Sequence, residues 1–323
     1  MAGEADAILR SGAEALIPEE VSKEIIEGAV AQSATLSLFK KLPNMSSNKT
    51  RMPVLDLLPM AYFVNGDTGM KKTTKMAWDK KYINAEEIAV IVPIAESVLD
   101  DARDNGYDIW GEVMPRVQEA FGNVIDNAVL FDVNKPSSWR NGIVATATSA
   151  GNVVTATDDF YKDIFDEGGV ISKVEESGYI PNGVISEVTM RGKLRGLRDD
   201  TGKPLYMSDL KSGVQTYSLD GQPMFFLQNG AWDSTQASLI MGDLGQAVYS
   251  IRQDMTVKLL TEGVIQDPET KEIVYNLAQQ DMVALRFVMR LGWEIPNPIN
   301  RLKPNKAERC PFAVYVPSNV SSL

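Results

Sequence analysis

The sequence predicts a mixed α+β protein of two domains carrying two thin extensions. Three observations lead there. An apolar stripe between Ile109 and Phe131 marks one long amphipathic helix. Residues 51–91 read as two strands about a loop, a ribbon too long to be stable in water by itself. After Gly221, short apolar segments alternate with turn residues, as strands do. At 323 residues the chain can bury a large core.

The elements follow in order. Pro18 with Glu19 and Glu20 starts a helix, since proline suits the first helical position and acids suit the first turn. Val21, Ile25 and Ala29, with Ile26 and Val30, keep helical spacing to an end near Ser33. Leu36 to Phe39 is mostly apolar, and Pro43 to Asn48 reads as turn. Met52 to Asp56 is strand-like despite Pro53, and Val64 to Gly69 is a loop tip. Thr73 to Trp78 and Tyr82 to Ile88 return as strands around a lysine-rich middle. Val90 to Ile94 is an apolar strand, and Ala95 to Ala102 a short helix. Asp108 stands as the N-cap of the long helix, whose stripe is Val113, Val117, Ala120, Phe121, Val124, Ile125, Ala128 and Val129. Pro115 falls in its first two turns, where a kink is tolerable.

Asn141 to Asp158 is small and β-prone. Asp158 or Asp159 caps a helix running to about Ser177, and the turn Gly178 to Gly183 leads into the strand Val184 to Ser186. A helix covers Glu187 to Leu197, and Arg198 to Pro204 is a polar loop. Strands are expected at 221–226, 237–243, 247–251, 255–260 and 282–291.

Composition narrows the function. The chain contains no histidine, which removes the commonest general base and zinc ligand. One cysteine, Cys310, rules out an intrachain disulfide and a multi-cysteine zinc site, and reads as a small packed residue. A net charge of −11 argues against wrapping nucleic acid, which needs basic surface. No apolar run is long enough to cross a membrane. Met1 to Ala15 lacks the basic start and apolar core of a signal peptide, so use in a cytoplasm is expected.

Charge is unevenly spread. Met1 to Val30 holds seven acids, among them Glu19, Glu20, Glu24 and Glu27, against Arg10 and Lys23. Lys40 to Lys81 holds nine bases, among them Lys71, Lys72, Lys75, Lys80 and Lys81, against three aspartates. Either these are two ordinary solvated faces, or they are complementary patches that meet between identical subunits.

Catalytic templates fail on residue type. Asp199-Asp200 lacks the alternating oxygens and terminal glutamate of a calcium loop. Asp100 to Asp104 reads as a solvated helix end. Gly192-Lys193 lacks the upstream glycine of a phosphate loop, and no Gly-x-Ser-x-Gly elbow occurs. Gly242 to Gly245 is too short for a dinucleotide fingerprint and precedes a strand. No catalytic, cofactor or metal residue is assigned.

The order of many weak landmarks resembles the major capsid protein family of tailed phages, whose HK97-like fold is named after phage Hong Kong 97. Ile17-Pro18-Glu19-Glu20-Val21 and its helix resemble the family's N-terminal arm, and Met52 to Glu87 its extended loop. Val92 to Asp101 resembles the passage into the peripheral domain, and Ile109 to Phe131 the spine helix. Leu194 to Asp199, Gly202 to Leu205 and Gly221 to Pro223 resemble axial-domain landmarks. Gly242 to Leu244 with Asp254 to Val257 resembles the return strand. Asp281 to Arg286, Gly292-Trp293 and Asn297-Pro298 resemble the closing segment.

The resemblance implies an arm at 1–50, an extended loop at 51–89, a peripheral domain at 90–140 and 246–297, and an axial domain at 141–245 and 298–323. It implies a structural role without enzymatic activity or cofactor: homo-pentamers and homo-hexamers closing into an icosahedral head around double-stranded DNA. The acidic balance suits a shell that encloses DNA without specific binding. The loop lysines and the arm acids Glu19, Glu20, Glu24 and Glu27 become candidate intersubunit contacts. Assembly is expected in the host cytoplasm, with portal and decoration proteins as further partners. The arm begins soon after Met1, which implies a separate scaffolding protein or none. Some relatives join a loop lysine to a neighbour's asparagine, but no cross-link motif is identifiable here. Encapsulin-like compartments share the fold and are the first alternative. A histidine-free α+β enzyme and a tail or decoration protein are more distant ones.

Overall fold

A computed structural model describes residues 33–63, 70–71, 73–104, 109–197, 217–267 and 269–318. The expected arm helix, the loop tip, the cap at Asp108 and the polar loop after Leu197 lie outside the described residues. So do Asp199 and Asp200.

The first sheet has four strands. β1 (Lys40–Lys41) pairs in parallel with β10 (Val248–Leu260), which pairs antiparallel with β13 (Met282–Glu294), which pairs antiparallel with the edge strand β4 (Glu86–Ala95). Pro93 is tolerated in β4 because an edge strand has one side free of ladder bonds. The segments expected at 247–251 and 255–260 are one strand, β10, interrupted by register shifts between Ile251 and Thr256. Such bulges bend a strand without ending it, which blurs its alternation in the sequence.

The second sheet has six strands in the order β5 (Val153–Thr155), β14 (Phe312–Val316), β9 (Leu239–Gly242), β6 (Gly183–Glu187), β8 (Gln222–Leu227) and β7 (Ser218–Leu219). Its strands alternate between two cores. Ile185, Ile240, Phe312 and Val314 join the core that holds the long helix, while Val184, Leu239, Met241, Ala313 and Tyr315 join a second core on the opposite face. Both faces are therefore covered, which explains why these strands read as unbroken apolar runs.

The long helix, α3 (Ile109–Phe131), spans the predicted residues. Val117, Phe121, Ile125, Ala128 and Val129 are buried in the first core, but Ala120 and Val124 are exposed. Gly122 and Asp126 are buried in their place, so the inward face is rotated from the one read in the sequence. Before it come α1 (Ala34–Leu38) and α2 (Glu96–Asp104). The sequence ends a helix near Ser33. That helix lies outside the described residues, and Ser33 is the N-cap of α1, its side chain accepting from the Leu36 N–H.

Two further expectations are corrected. The β-prone stretch after Asn141 opens as a helix, α4 (Ile143–Ser149), before the short β5. Ile143, Val144 and Ala147 are buried against α3, and the hydroxyls of Thr148 and Ser149 fold back onto the carbonyls of Val144 and Ala145. Tertiary burial thus overrides local strand preference. The expected helix to Ser177 is two helices, α5 (Phe160–Phe165), capped by Asp159, and α6 (Val170–Glu176). They are separated where Gly168 takes a φ of +84°, a left-handed conformation that breaks a helix. With α7 (Met190–Gly196), three residues shorter at its start than expected, they cover the outer face of the second sheet.

Two ribbons project from this body. One is β2 (Lys49–Leu57) with β3 (Ala77–Asn84); the other is β11 (Val264–Gln266) with β12 (Ile273–Asn276). Thr73 to Met76, expected as strand, lies outside the ladder, which ends at Leu57 and Ala77. Pro59 lacks an N–H to carry the pairing further. Tyr82 to Ile88 is not one strand either, because the chain leaves the ribbon at Asn84 and joins the first sheet at Glu86.

Candidate interaction surface

The first ribbon shares little surface with its own body. Alternation along β2 and β3 gives each strand two faces, yet only Val54 and Ile83 are buried. Ile83 packs with Met45 and Val248 in a small cluster at the root. Beyond it, large apolar side chains stand in solvent: Trp78 at 61%, Met70 at 93% and Phe63 fully exposed. An apolar patch of this extent on a protein surface marks a contact with something else.

The root is tightly made. Gly292 in β13 lies under the ribbon, where a Cβ would sit 2.3 Å from the Asn84 carbonyl oxygen and 2.8 Å from Ile83. Only glycine lets the two backbones cross this closely. The Trp139 indole N–H donates to Asn84 O at 3.1 Å, and Asn84 Nδ2 donates to Ser138 O at 2.9 Å. Along the ribbon's length, the Ile299 N–H donates to Leu55 O at 3.0 Å and Arg301 Nη2 to Pro59 O at 2.7 Å. Lys306 pairs with Asp79 and holds its carboxyl below the usual carboxylate range.

The predicted lysines separate into two groups. Lys71, Lys75 and Lys80 are exposed and, among the described residues, form no ion pair. Lys81 is one residue on and faces the other way, as strand geometry requires. It is half-buried, 3.9 Å from Glu294, and burial pulls its ammonium down from the ordinary lysine value despite that partner. Glu294 is itself held by Arg140 at 2.8 Å. Lys81 thus differs from the lysines with which the sequence groups it: it serves the root of the ribbon in its own chain. Lys72 and the arm acids Glu19, Glu20, Glu24 and Glu27 lie outside the described residues.

Other structural features escape sequence reading. Asp126 is fully buried and accepts from Ser33 Oγ, the Ala34 and Thr35 N–H groups, Thr35 Oγ1 and Asn229 Nδ2, at 2.6–3.0 Å. It ties the chain leaving residue 33 to the long helix. Its one signal was being the only charge between Ala120 and Phe131. The second ribbon exposes Val264, Ile273 and Val274. Among the described residues, no group of three or more His, Cys, Asp or Glu could hold a metal ion, and no helix is long and apolar enough to cross a membrane. Cys310 is buried, its thiol pushed up to about 11 by burial.

Comparison with known proteins matches this architecture. A family model described as the phage capsid family matches residues 13–304. A solved structure from Microbacterium phage Oxtober96 is 35% identical over 98% of this chain and 96% of that one, with a TM-score of 0.78. One from Mycobacterium phage Cain is 30% identical over 98% of this chain and all of that one, with a TM-score of 0.76. At 17% identity and a TM-score of 0.59, a chain titled as the capsid of an empty GTA particle shares the fold. A search of the curated proteins gives no match. The fold is the HK97-like α+β fold of phage capsids. On a match covering most of its length, the chain belongs to the phage capsid family and is a major capsid protein.

Proposed function

We propose that this subunit forms rings of five and six copies that close into an icosahedral head around double-stranded DNA. The observation that carries this is the ribbon at 49–84, where Phe63, Met70 and Trp78 are left in solvent by their own chain. A neighbouring copy is the partner such a surface needs, and repetition over many copies turns modest contacts into a stable shell. The role is structural and involves no catalysis. Lys71, Lys72, Lys75 and Lys80 meet acids of the adjacent subunit, with Glu19, Glu20, Glu24 and Glu27 of its arm as the complementary set. In this reading residues 1–50 are the arm and 51–89 the extended loop. The peripheral domain is 90–140 with 246–297, and the axial domain 141–245 with 298–323. Assembly takes place in the host cytoplasm, with portal and decoration proteins as partners, and the product is the virion shell.

Charge reversal tests it. Lys71→Glu with Lys72→Glu and Lys75→Glu should cut the yield of closed shells, counted by electron microscopy, by about tenfold or more. Reversing the four arm glutamates to lysine in the same chain should restore part of that yield. Shells that form at normal yield in the triple variant overturn the lysine assignment. A purified wild-type protein that never forms shells overturns the whole reading.

A further inference from the structure

We infer that Arg309 is a positioning residue for the ribbon, acting through the loop from Ile295 to Arg309; this rests on the proposed role of the ribbon in assembly. The loop has no regular secondary structure, so something else must give it a shape. Arg309 is 3% exposed and spends its guanidinium on that loop. Its Nε donates to Asn297 Oδ1 at 2.9 Å, Nη1 to the carbonyls of Lys303 and Pro304 at 2.7 and 3.0 Å, and Nη2 to Asn297 O at 3.2 Å. These partners are all neutral oxygens, and among the described residues no carboxylate forms an ion pair with it. A planar five-donor fork can gather carbonyls from three points of a loop at once, which a lysine ammonium cannot do with the same geometry.

The loop so shaped touches both sides. Toward the second sheet, Asn300 Nδ2 donates to Ser177 O at 2.8 Å and the Tyr179 hydroxyl to Asn297 Oδ1 at 2.9 Å, while Arg309 itself stands three residues before β14. Toward the ribbon, Ile299, Arg301 and Lys306 make the contacts to Leu55, Pro59 and Asp79. Asn297 holds its place with a φ of +47° and donates from Nδ2 to Arg309 O at 2.7 Å. The loop is therefore a strut. Its inner end is fixed at the end of α6 and the turn that leads into β6, its outer end rests on the ribbon, and Arg309 is the pin between them.

Hydrogen exchange on the full-length, unassembled subunit tests this. Arg309→Lys keeps the charge and loses the fork. Ribbon amides within 49–57 and 77–84 should exchange about tenfold faster or more, as loss of charge-assisted bonds implies, while amides of 283–291 in β13 stay unchanged. Should Arg309→Lys fail to fold, Arg301→Ala with Lys306→Ala cuts the strut at its exposed outer end. That variant should quicken the ribbon and leave the loop itself protected. Faster exchange of the loop with an unchanged ribbon, in either variant, overturns the inference. The readout precedes assembly, so it stands or falls separately from the shell-forming role, which the wild-type micrographs decide.

Discussion

Replacing Asp126 with alanine should cost the unassembled subunit about 3–5 kcal/mol, because two ways of relieving the damage compete and the cheaper sets the loss. The carboxylate accepts five hydrogen bonds inside a fully buried site. At about 1.5–3 kcal/mol for each bond to a charged group, leaving all five donors stranded would cost about as much as a whole domain's stability. The alternative is for Ser33 to Leu38 to lift away and give four of the donors to water. That exposes Leu36 and probes the hold on Phe39, buried to 3% and 6% exposure, at about 1.5–3 kcal/mol each. Of the five bonds, only the one from Asn229 is then lost inside the fold. Detachment is cheaper, so the variant should lose α1 before it loses the sheet. Urea unfolding followed by tryptophan fluorescence should give a lower midpoint and a smaller slope, since less surface remains to be exposed. Protease should cut near residue 38 in the variant alone. Ser33→Ala, which removes one bond and one cap, should cost about 1 kcal/mol. A loss below about 1 kcal/mol for Asp126→Ala with an unchanged slope would refute the reasoning.

Gly292→Val should prevent the ribbon from crossing β13, because a Cβ there meets backbone at 2.3 Å and backbone cannot rotate aside. Little folded subunit should be recovered by size-exclusion chromatography, whereas recovery at wild-type level would show that the crossing can open. The buried Cys310 predicts a pH effect with a definite sign. Its folded thiol titrates at about 11, above the ordinary value of 9.0, so folding favours the protonated form. Its contribution is complete below pH 9 and is lost as pH rises toward 11, by about 3 kcal/mol. Cys310→Ala should flatten that part of the stability profile, and an equal slope in both proteins would rule the thiol out. Before unfolding, Cys310 should also resist maleimide for hours, as a buried protonated thiol does, and rapid labelling of native protein would contradict its burial.

Much of the fold is legible in the sequence where one period governs a long segment. The helix at 109–131 keeps its period for six turns, and 282–291 keeps enough apolar character to be read as a strand. Legibility fails where a local preference meets a stronger distant partner. Ile143 to Ser149 is rich in β-branched and small residues, yet burial against α3 makes it a helix. Asp126 follows the same logic in reverse. Local reasoning puts a charged helical residue in water, but here the two segments that feed its oxygens come from positions 33–35 and 229, and no helical period reports them.

The ribbon was readable for a different reason: its sequence offers too little to bury. Two strands with lysines and a proline cannot hold each other in water, so the prediction of an outside partner came from a deficit rather than from a motif. The structure adds where that deficit stops. Ile83, Val54, Gly292 and Trp139 fix the root, and the contacts of Ile299, Arg301 and Lys306 reach the ribbon on one side as far as Pro59. Past that point Phe63 and Met70 are exposed at 103% and 93%. A subunit that fixed the whole ribbon to itself would have no surface to offer, and one that fixed none of it would offer the surface at every angle and lose binding free energy to ordering it. Holding the root and leaving the end apolar resolves the two demands. It follows that loosening the strut and removing the exposed apolar residues should harm assembly in distinguishable ways. Arg309→Lys should slow shell growth and weaken the finished shell only slightly, because the ribbon must be ordered at each contact while the contact itself is kept. Phe63→Ser with Met70→Ser should weaken the finished shell to dissociation by dilution, because the contact itself is gone. If both variants slow growth and neither weakens the shell, the apolar end is not where neighbouring copies meet.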